Sequence, residues 1–444
     1  MWIRLSTYKI RYDWIHVGNI MNRIDSVDTL RGFSLLGILL LNIVSFGLPF
    51  AAYMNPAVAG GADGINLATW LTAMTLWDGK MRCIFSMLFG ASAWLLLSRA
   101  EERGDGIHAA DIYYRRTMWL IVIGLVHAHL IWVGDILYGY GVIGLLLFPL
   151  RNLKPKTLIV TGLILIGLHA LQGIGTGIGI GEMAQKAKAA ERKAVPSAED
   201  KKAIAEFAAL REMFSPLPAE VKQEIQVHRS GWLSNLTYRS GAAAMLESTM
   251  FFQFFFLDVL AMQILGLGLA KAGVFSALRS YTFYGGLAAA GFLLGGPLNY
   301  WAAQQWRASG FAIPEYFTYL GSTSDIGRLL VALAYVGLIM MVCKAGWRWL
   351  TAPLAAVGRM ALTNYLLTSI LMTLFFNGYG LGYFARLERH QLYWVVLGMW
   401  TINLILSPLW LRHFRFGPAE WVWRSLTYGQ KQPVRIEPHP SVAQ

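Results

Sequence analysis

Apolar runs of roughly 18 to 25 residues recur along almost the whole chain, each long enough to cross a bilayer as a helix. They fall at 30–50, 81–99, 116–133, 135–150, 157–177, 245–270, 281–301, 327–344, 353–376 and 391–411. This pattern excludes an ordinary soluble domain. It predicts an all-α polytopic membrane helix bundle of about ten transmembrane helices. Charge is scarce between the runs: 14% of residues are charged, where a soluble domain carries about 25%. The amphipathic stretch 67–80 is expected to be an interfacial helix or a re-entrant entry to the second span.

The net charge of +13 is read as topogenic, not as a nucleic-acid footprint, because Lys and Arg flank the spans. Arg31, Arg99, Arg103, Arg115, Arg116, Arg151, Lys154, Lys271, Arg279, Lys344, Arg348, Arg412, Arg415 and Arg424 then share the cytoplasmic side. Residues 51–79, on the opposite side, contain no Lys or Arg. Both termini are expected in the cytoplasm, and the protein in a bacterial cytoplasmic (inner) membrane. The two cysteines, Cys83 and Cys343, lie in separate spans, which argues against a disulfide framework or a zinc site.

The chain divides into an N-terminal tail (1–22), a first membrane half (23–177), an extracytoplasmic helical insert (178–244), a second membrane half (245–411) and a cytoplasmic tail (412–444). Met21 is an alternative start. In the insert, one helix is expected to start near Ser197 with Asp200 as its capping partner, and another near Pro218. The glycine-rich string at 173–181 lacks a strand–helix context and is read as the loosened end of span five. Gly291 and Gly295 form a small-residue packing pair.

Ionisable residues inside a span cost roughly 2.5–3.5 kcal/mol each on insertion scales, so they mark where function is to be sought. Span three carries His127 and His129, rotated by roughly 200° from one another on a helix. Gly124 lies one turn from His127, so His127 is expected to face inward. Asp135 comes next on nearly the same azimuth and would fix the imidazole tautomer. Asp78, Lys80 and Arg82 open span two on the same side, where Lys80 and Arg82 break the positive-inside pattern. Acids of the bundle, Asp78, Asp135 and Glu247, are their expected partners. Span six supplies Glu247 and Asp258, eleven residues apart on one face of a regular helix. Asp258 lies near mid-membrane, with Asn42, Ser45, Asn364, Thr368 and Asn403 as candidate partners. On the cytoplasmic side, Asp28 and Arg31 form a helical pair, and Arg359 sits at the matching end of span nine. These arginines suit the phosphates of a nucleotide-bearing donor. No metal-ligand spacing appears.

Four segments then resemble the YeiB-like family of bacterial multi-pass membrane proteins, which carry a domain of unknown function numbered 418. They are residues 23–32, including Asp28-Thr29-Leu30-Arg31-Gly32; 78–90, from Asp78-Gly79-Lys80-Met81-Arg82 to Gly90; Gly124-Leu125-Val126-His127 with Gly134-Asp135; and 358–365 with the terminal 416–424. That family is similar to a wider set of transmembrane acyltransferases that includes the heparan-sugar acetyltransferase. The resemblance implies acyl transfer from an acyl-CoA-type donor to a hydroxyl or amine at or across the membrane. The lysosomal enzyme's essential histidine precedes span two, and no histidine occurs between residues 17 and 107 here, so the base role would fall to His127.

On this reading His127 is the general base, oriented by Asp135 or Glu247. Asp78, Lys80, Arg82, Asp258 and Asn42 bind substrate, and Arg31 and Arg359 grip the donor. No permanently bound cofactor is expected, with acyl-CoA as co-substrate. Membrane lipids and a small-molecule or lipid substrate are the expected partners, a homodimer is an open option, and nucleic acid is not expected. A transporter using Asp258 as a proton or ion site, and a non-catalytic scaffold, are the alternatives.

Overall fold

The computed structural model describes residues 17–102 and 107–436. The expected tail before residue 17, Arg103, and the residues after 436 lie outside it. The described chain is helical throughout, with a single isolated bridge between Phe414 and Arg435. Six helices are long and apolar enough to cross a membrane, or seven if a bent pair is one crossing. That pair is Arg348–Arg359 and Ala361–Phe376, which meet at 80°. Three expected crossings fall outside this count by length and composition. They are the Ile107–Leu130 helix, the short Leu137–Leu147 helix, and the Tyr281–Ala290 and Gly296–Ala308 helices joined through a π-helical turn.

Local chemistry sets the boundaries. Pro155 opens the Pro155–Glu191 helix at a position where its missing N–H is harmless. Ser197 caps the Ala198–Phe214 helix by accepting from the Asp200 N–H, and Asp200 returns the bond to the Ser197 N–H at 2.9 Å. Pro218 takes the first position of the Pro218–His228 helix. The helix of the sixth span starts before residue 245: Trp232–Met245 runs without a break into the stretch that ends at Lys271.

Two expectations change. The glycine string at 173–181 is not a loosened helix end, because the Pro155–Glu191 helix runs through it unbroken. Gly177 packs there against the backbone of Phe317 and Thr318, where a Cβ would lie 2.9 Å from the Thr318 nitrogen. Nor is span six one regular helix. Residues Leu246–Phe255 are π-helical, which shifts the azimuth of everything before Phe256 relative to the Phe256–Lys271 helix. Glu247 and Asp258 therefore do not share a stripe, and each meets a different partner.

Close helix contacts hold the bundle. Gly32 and Gly358 let the Val17–Gly47 and Arg348–Arg359 helices touch backbone to backbone: a Cβ on Gly32 would lie 1.9 Å from the Leu354 carbonyl oxygen. Gly291 approaches Leu330 as closely, the packing role expected of it. The largest core cluster joins the helices containing Ile38, Ile84, Met87, Met262, Leu265 and Val336.

Candidate functional site

The Ile107–Leu130 helix ends at a turn that brings Asp135 back beneath His127. His127 Nδ1 lies 2.8 Å from Asp135 Oδ1, and both side chains are fully buried. Asp135 Oδ2 accepts the Tyr138 N–H at 2.7 Å, which fixes the carboxylate at the start of the next helix. Gly124 makes the fit: a Cβ there would lie 2.8 Å from Asp135 Oδ2 and 2.3 Å from the Tyr138 nitrogen. The Tyr365 ring packs on the imidazole at 4.9 Å between centroids. With Nδ1 facing a carboxylate, Nδ1 carries the proton and Nε2 holds the lone pair. Nε2 is buried and has no hydrogen-bond partner among the described residues.

Two cavities flank this pair. One, on the side expected to be extracytoplasmic and so called the outer cavity, has a volume of about 340 Å³ and is lined by Asp135, Trp132, Asp78, Lys80, Arg82, Glu247 and Asn42 among others. The second, about 210 Å³, is lined by Arg31, Arg116, Arg359, Arg424 and Tyr365. Tyr140 lines both. Asp135 lines one cavity and Tyr365 the other; His127, in contact with both, lines neither.

The second cavity is strongly basic. Arg31 donates to Asp28 at 2.6 Å and to Ser92 at 2.9 Å. Arg116 lies over the Trp423 ring at 3.8 Å and Arg424 over Phe416 at 4.3 Å. Arg116, Arg359 and Arg424 have no carboxylate at ion-pair distance among the described residues. The one acid in the lining, Glu420, is turned to the helix Ala361–Phe376, accepting the Leu362 and Thr363 N–H groups at 2.6 and 3.1 Å. The 80° bend at Met360 thus places Arg359 in the cavity while Glu420 caps the next helix start.

Several expected partnerships resolve differently. Glu247 does not reach His127; its Oε2 lies 3.2 Å from His129 Nε2. The partners of Asp258 are arginines, not the amide and hydroxyl groups. Arg328 Nη1 meets its Oδ2 at 3.2 Å, Arg82 Nη2 does so at 3.2 Å, and Arg328 Nη2 meets its Oδ1. Arg328 also pairs with Asp325 at 2.8 Å, and Asp325 with His169 Nδ1 at 2.6 Å. Lys80, expected beside an acid, donates instead to the Met74 carbonyl. Asp78 accepts from Tyr53 at 3.1 Å. Between them, Gly79 adopts φ +71°, a conformation that favours glycine, and a Cβ there would press on Arg328 at 2.7 Å. Asn364 bridges the Val357 carbonyl and Ser407, joining helices.

Arg328, Asp325 and His169 escape a sequence reading because neither periodicity nor spacing tells which spans touch. Arg116 and Arg424 look like membrane-edge charges until the bend at Met360 gathers them.

The family model described as a protein of unknown function (DUF418) matches residues 269–430. An uncharacterised protein, YeiB, of Escherichia coli (strain K12) is 32% identical over 421 residues, covering 93% of this chain and 98% of that one. Uncharacterised protein YxaH of Bacillus subtilis (strain 168) is 28% identical over 436 residues, covering 93% and 96%. The resemblance of the four segments thus extends along nearly the full length, and the chain belongs to the YeiB-like family of DUF418 proteins.

Proposed function

We propose that this protein is a transmembrane acyltransferase that moves an acyl group from an acyl-CoA-type thioester to a hydroxyl or amine acceptor. The observation that carries the reading is His127: Nδ1 is committed to Asp135, which lines one cavity, the ring packs on Tyr365, which lines the other, and Nε2 is buried with no partner among the described residues. A general base needs a lone pair aimed at exchangeable protons and a partner that fixes its tautomer. His127 has both.

Arg31, Arg116, Arg359 and Arg424 would hold the donor's phosphates, since guanidinium forks match phosphate oxygens. The cavity, about 210 Å³, suits the phosphate-bearing or thioester arm of such a donor more than a whole nucleotide. By the positive-inside pattern it opens to the cytoplasm. The acceptor would enter the outer cavity among Asp78, Lys80 and Asn42. His127 Nε2 takes the acceptor's proton as its oxygen or nitrogen attacks the thioester carbonyl, and the thiolate leaves and is protonated. Asp258 is enclosed by two guanidinium groups in the manner of a structural ion cluster, which favours this reading over a transporter that uses Asp258 as a proton or ion site.

The test is binding of acyl-CoA to purified protein, with His127→Ala abolishing transfer while the protein stays folded. Absence of acyl-CoA binding across chain lengths sinks the reading.

A further inference from the structure

The second histidine of the Ile107–Leu130 helix forms a separate constellation. His129 Nδ1 lies 2.7 Å from Ser240 Oγ, and His129 Nε2 lies 3.2 Å from Glu247 Oε2. One tautomer satisfies both contacts. The Ser240 hydroxyl donates to the Nδ1 lone pair, and the Nε2–H donates to the carboxylate. That is the polarity of a serine–base–acid triad, recognised by geometry and roles and not by residue order. It differs from His127, whose free nitrogen faces no built-in nucleophile.

The hydroxyl's direction is itself informative. Thr237 and Ser248, on either side in the chain, donate to their own helix, to the Leu233 and Ala244 carbonyls at 3.2 and 2.6 Å. Helical serines usually do so. Ser240 reaches across to another helix. Arg239 binds the same corner, donating Nε to the His129 carbonyl at 3.1 Å and Nη1 to the Ile131 carbonyl at 2.9 Å. Arg239 is buried, and its Nη2 has no acceptor among the described residues. Arg239 thus ties the helix of Ser240 to the backbone on either side of the histidine, with one buried N–H left without an acceptor among the described residues.

Access distinguishes this site from the buried pair. The His129 side chain is 31% exposed, and Glu247 lines the outer cavity. Val126, Leu130, Met245 and Phe252, on the same two helical stretches, are exposed apolar residues. In a membrane protein such a surface faces lipid chains. The site thus opens to an acyl chain on one side and to a polar cavity on the other.

We propose that Ser240, His129 and Glu247 form a second acyl-transfer site, acting on acyl esters of lipids by way of an acyl-Ser240 intermediate. Ser240 Oγ attacks the ester carbonyl carbon while its proton passes to His129 Nδ1. The C–O bond to the leaving alcohol breaks, and the alcohol takes that proton. Water, or an alcohol from the outer cavity, then attacks acyl-Ser240, giving its proton to His129, and Ser240 Oγ takes the proton back on release. This site stands independently of the acyl-CoA reading, because none of its three residues belongs to the His127 pair.

A long-chain alkyl fluorophosphonate, which forms a covalent adduct with activated serines, tests this on the full chain in detergent micelles. The adduct is expected on the peptide containing Ser240, absent in Ser240→Ala and formed about 100-fold or more slowly in His129→Gln, the usual scale of general-base catalysis. Thr237→Ala, one turn away, should label at the wild-type rate, and size-exclusion profiles report that the variants remain folded. No adduct at Ser240, or wild-type labelling in folded His129→Gln, overturns the proposal. The reagent needs no acyl-CoA, so a failure here is separable from a failure of the acyl-CoA reading.

Discussion

Two histidines in this molecule each set Nδ1 against a buried aspartate, His127 on Asp135 at 2.8 Å and His169 on Asp325 at 2.6 Å. They differ at Nε2. That of His169 meets the Phe254 carbonyl at 2.9 Å, and its aspartate continues through Arg328 to Asp258 and Arg82. That of His127 meets nothing among the described residues. A histidine with both ring nitrogens paired holds helices in register, whereas one with an unmatched lone pair retains something to offer a substrate. The same pair of residue types thus serves architecture in one place and, on the proposed function, supplies chemistry in the other.

The sharpest way to break this contrast is at Arg328. Arg328→Met would leave Asp325 and Asp258 without their shared guanidinium, and removing one partner of a buried ion cluster costs about 3–5 kcal/mol. We expect little folded protein in detergent extracts, read by size-exclusion chromatography. A monodisperse variant with wild-type thermal stability would mean the network does not support the fold.

Next in size is the separation of the two histidines. His127→Ala is expected to lower acyl transfer by about 10²–10⁴-fold, the range for loss of a general base, with the protein still folded. His169→Gln should do the reverse. It would lower thermal stability, since hydrogen bonds to charged groups contribute about 1.5–3 kcal/mol, but leave turnover per folded molecule unchanged. Equal effects of the two substitutions on turnover would erase the distinction drawn between them.

The range of each interaction decides whether it can be read from the sequence. The His127–Asp135 pair is legible because it is local: eight residues, one helix face and the glycine at 124 place the carboxylate under the ring. The Ser197–Asp200 cap is legible for the same reason. The Asp258–Arg328 pair spans seventy positions, and no periodicity tells which spans are neighbours. The pairing of Glu247 escapes for another reason. An azimuth counted at 3.6 residues per turn fails across the π-helical stretch from Leu246 to Phe255, so the residue swings to His129. Apolar run length locates helices well but cannot show that one span bends by 80° at Met360, and that bend assembles the arginine cavity.

A third imidazole extends the comparison to a helix outside the candidate membrane spans. His228, at the end of the Pro218–His228 helix of the insert, stacks on Phe384 at 4.1 Å with the rings nearly parallel. Burial pushes it down from the ordinary 6.5 to about 4, the Glu224 carbonyl only partly opposing, with Arg239 nearby adding to the depression. A histidine depressed in the fold contributes its stability above the unfolded value and loses it as pH falls. Hydrogen exchange of residues 218–228 should therefore speed up as pH drops from about 6.5 toward 4, beyond the intrinsic pH dependence of exchange. At about 1.4 kcal/mol per pH unit the full effect is on the order of 3–4 kcal/mol. His228→Phe, which keeps the stack, should remove the pH dependence. If it does not, another group controls docking of the insert.

The smallest expected effect distinguishes binding from chemistry within the basic cavity. Arg359 stands at the end of the Arg348–Arg359 helix with no carboxylate at ion-pair distance among the described residues, so a phosphate would meet an available guanidinium. Arg359→Ala removes one charge-assisted contact of several, a loss of about 1.5 kcal/mol that raises the donor KM roughly tenfold. Because Arg359 would, on the proposed function, touch the donor's phosphates and not the reacting carbonyl, kcat should hold. Arg31→Ala should behave differently, since it also leaves Asp28 without its partner and so adds a cost in stability. A fall in kcat with unchanged KM in Arg359→Ala would place the donor elsewhere and turn the arginine cavity into membrane-edge anchoring.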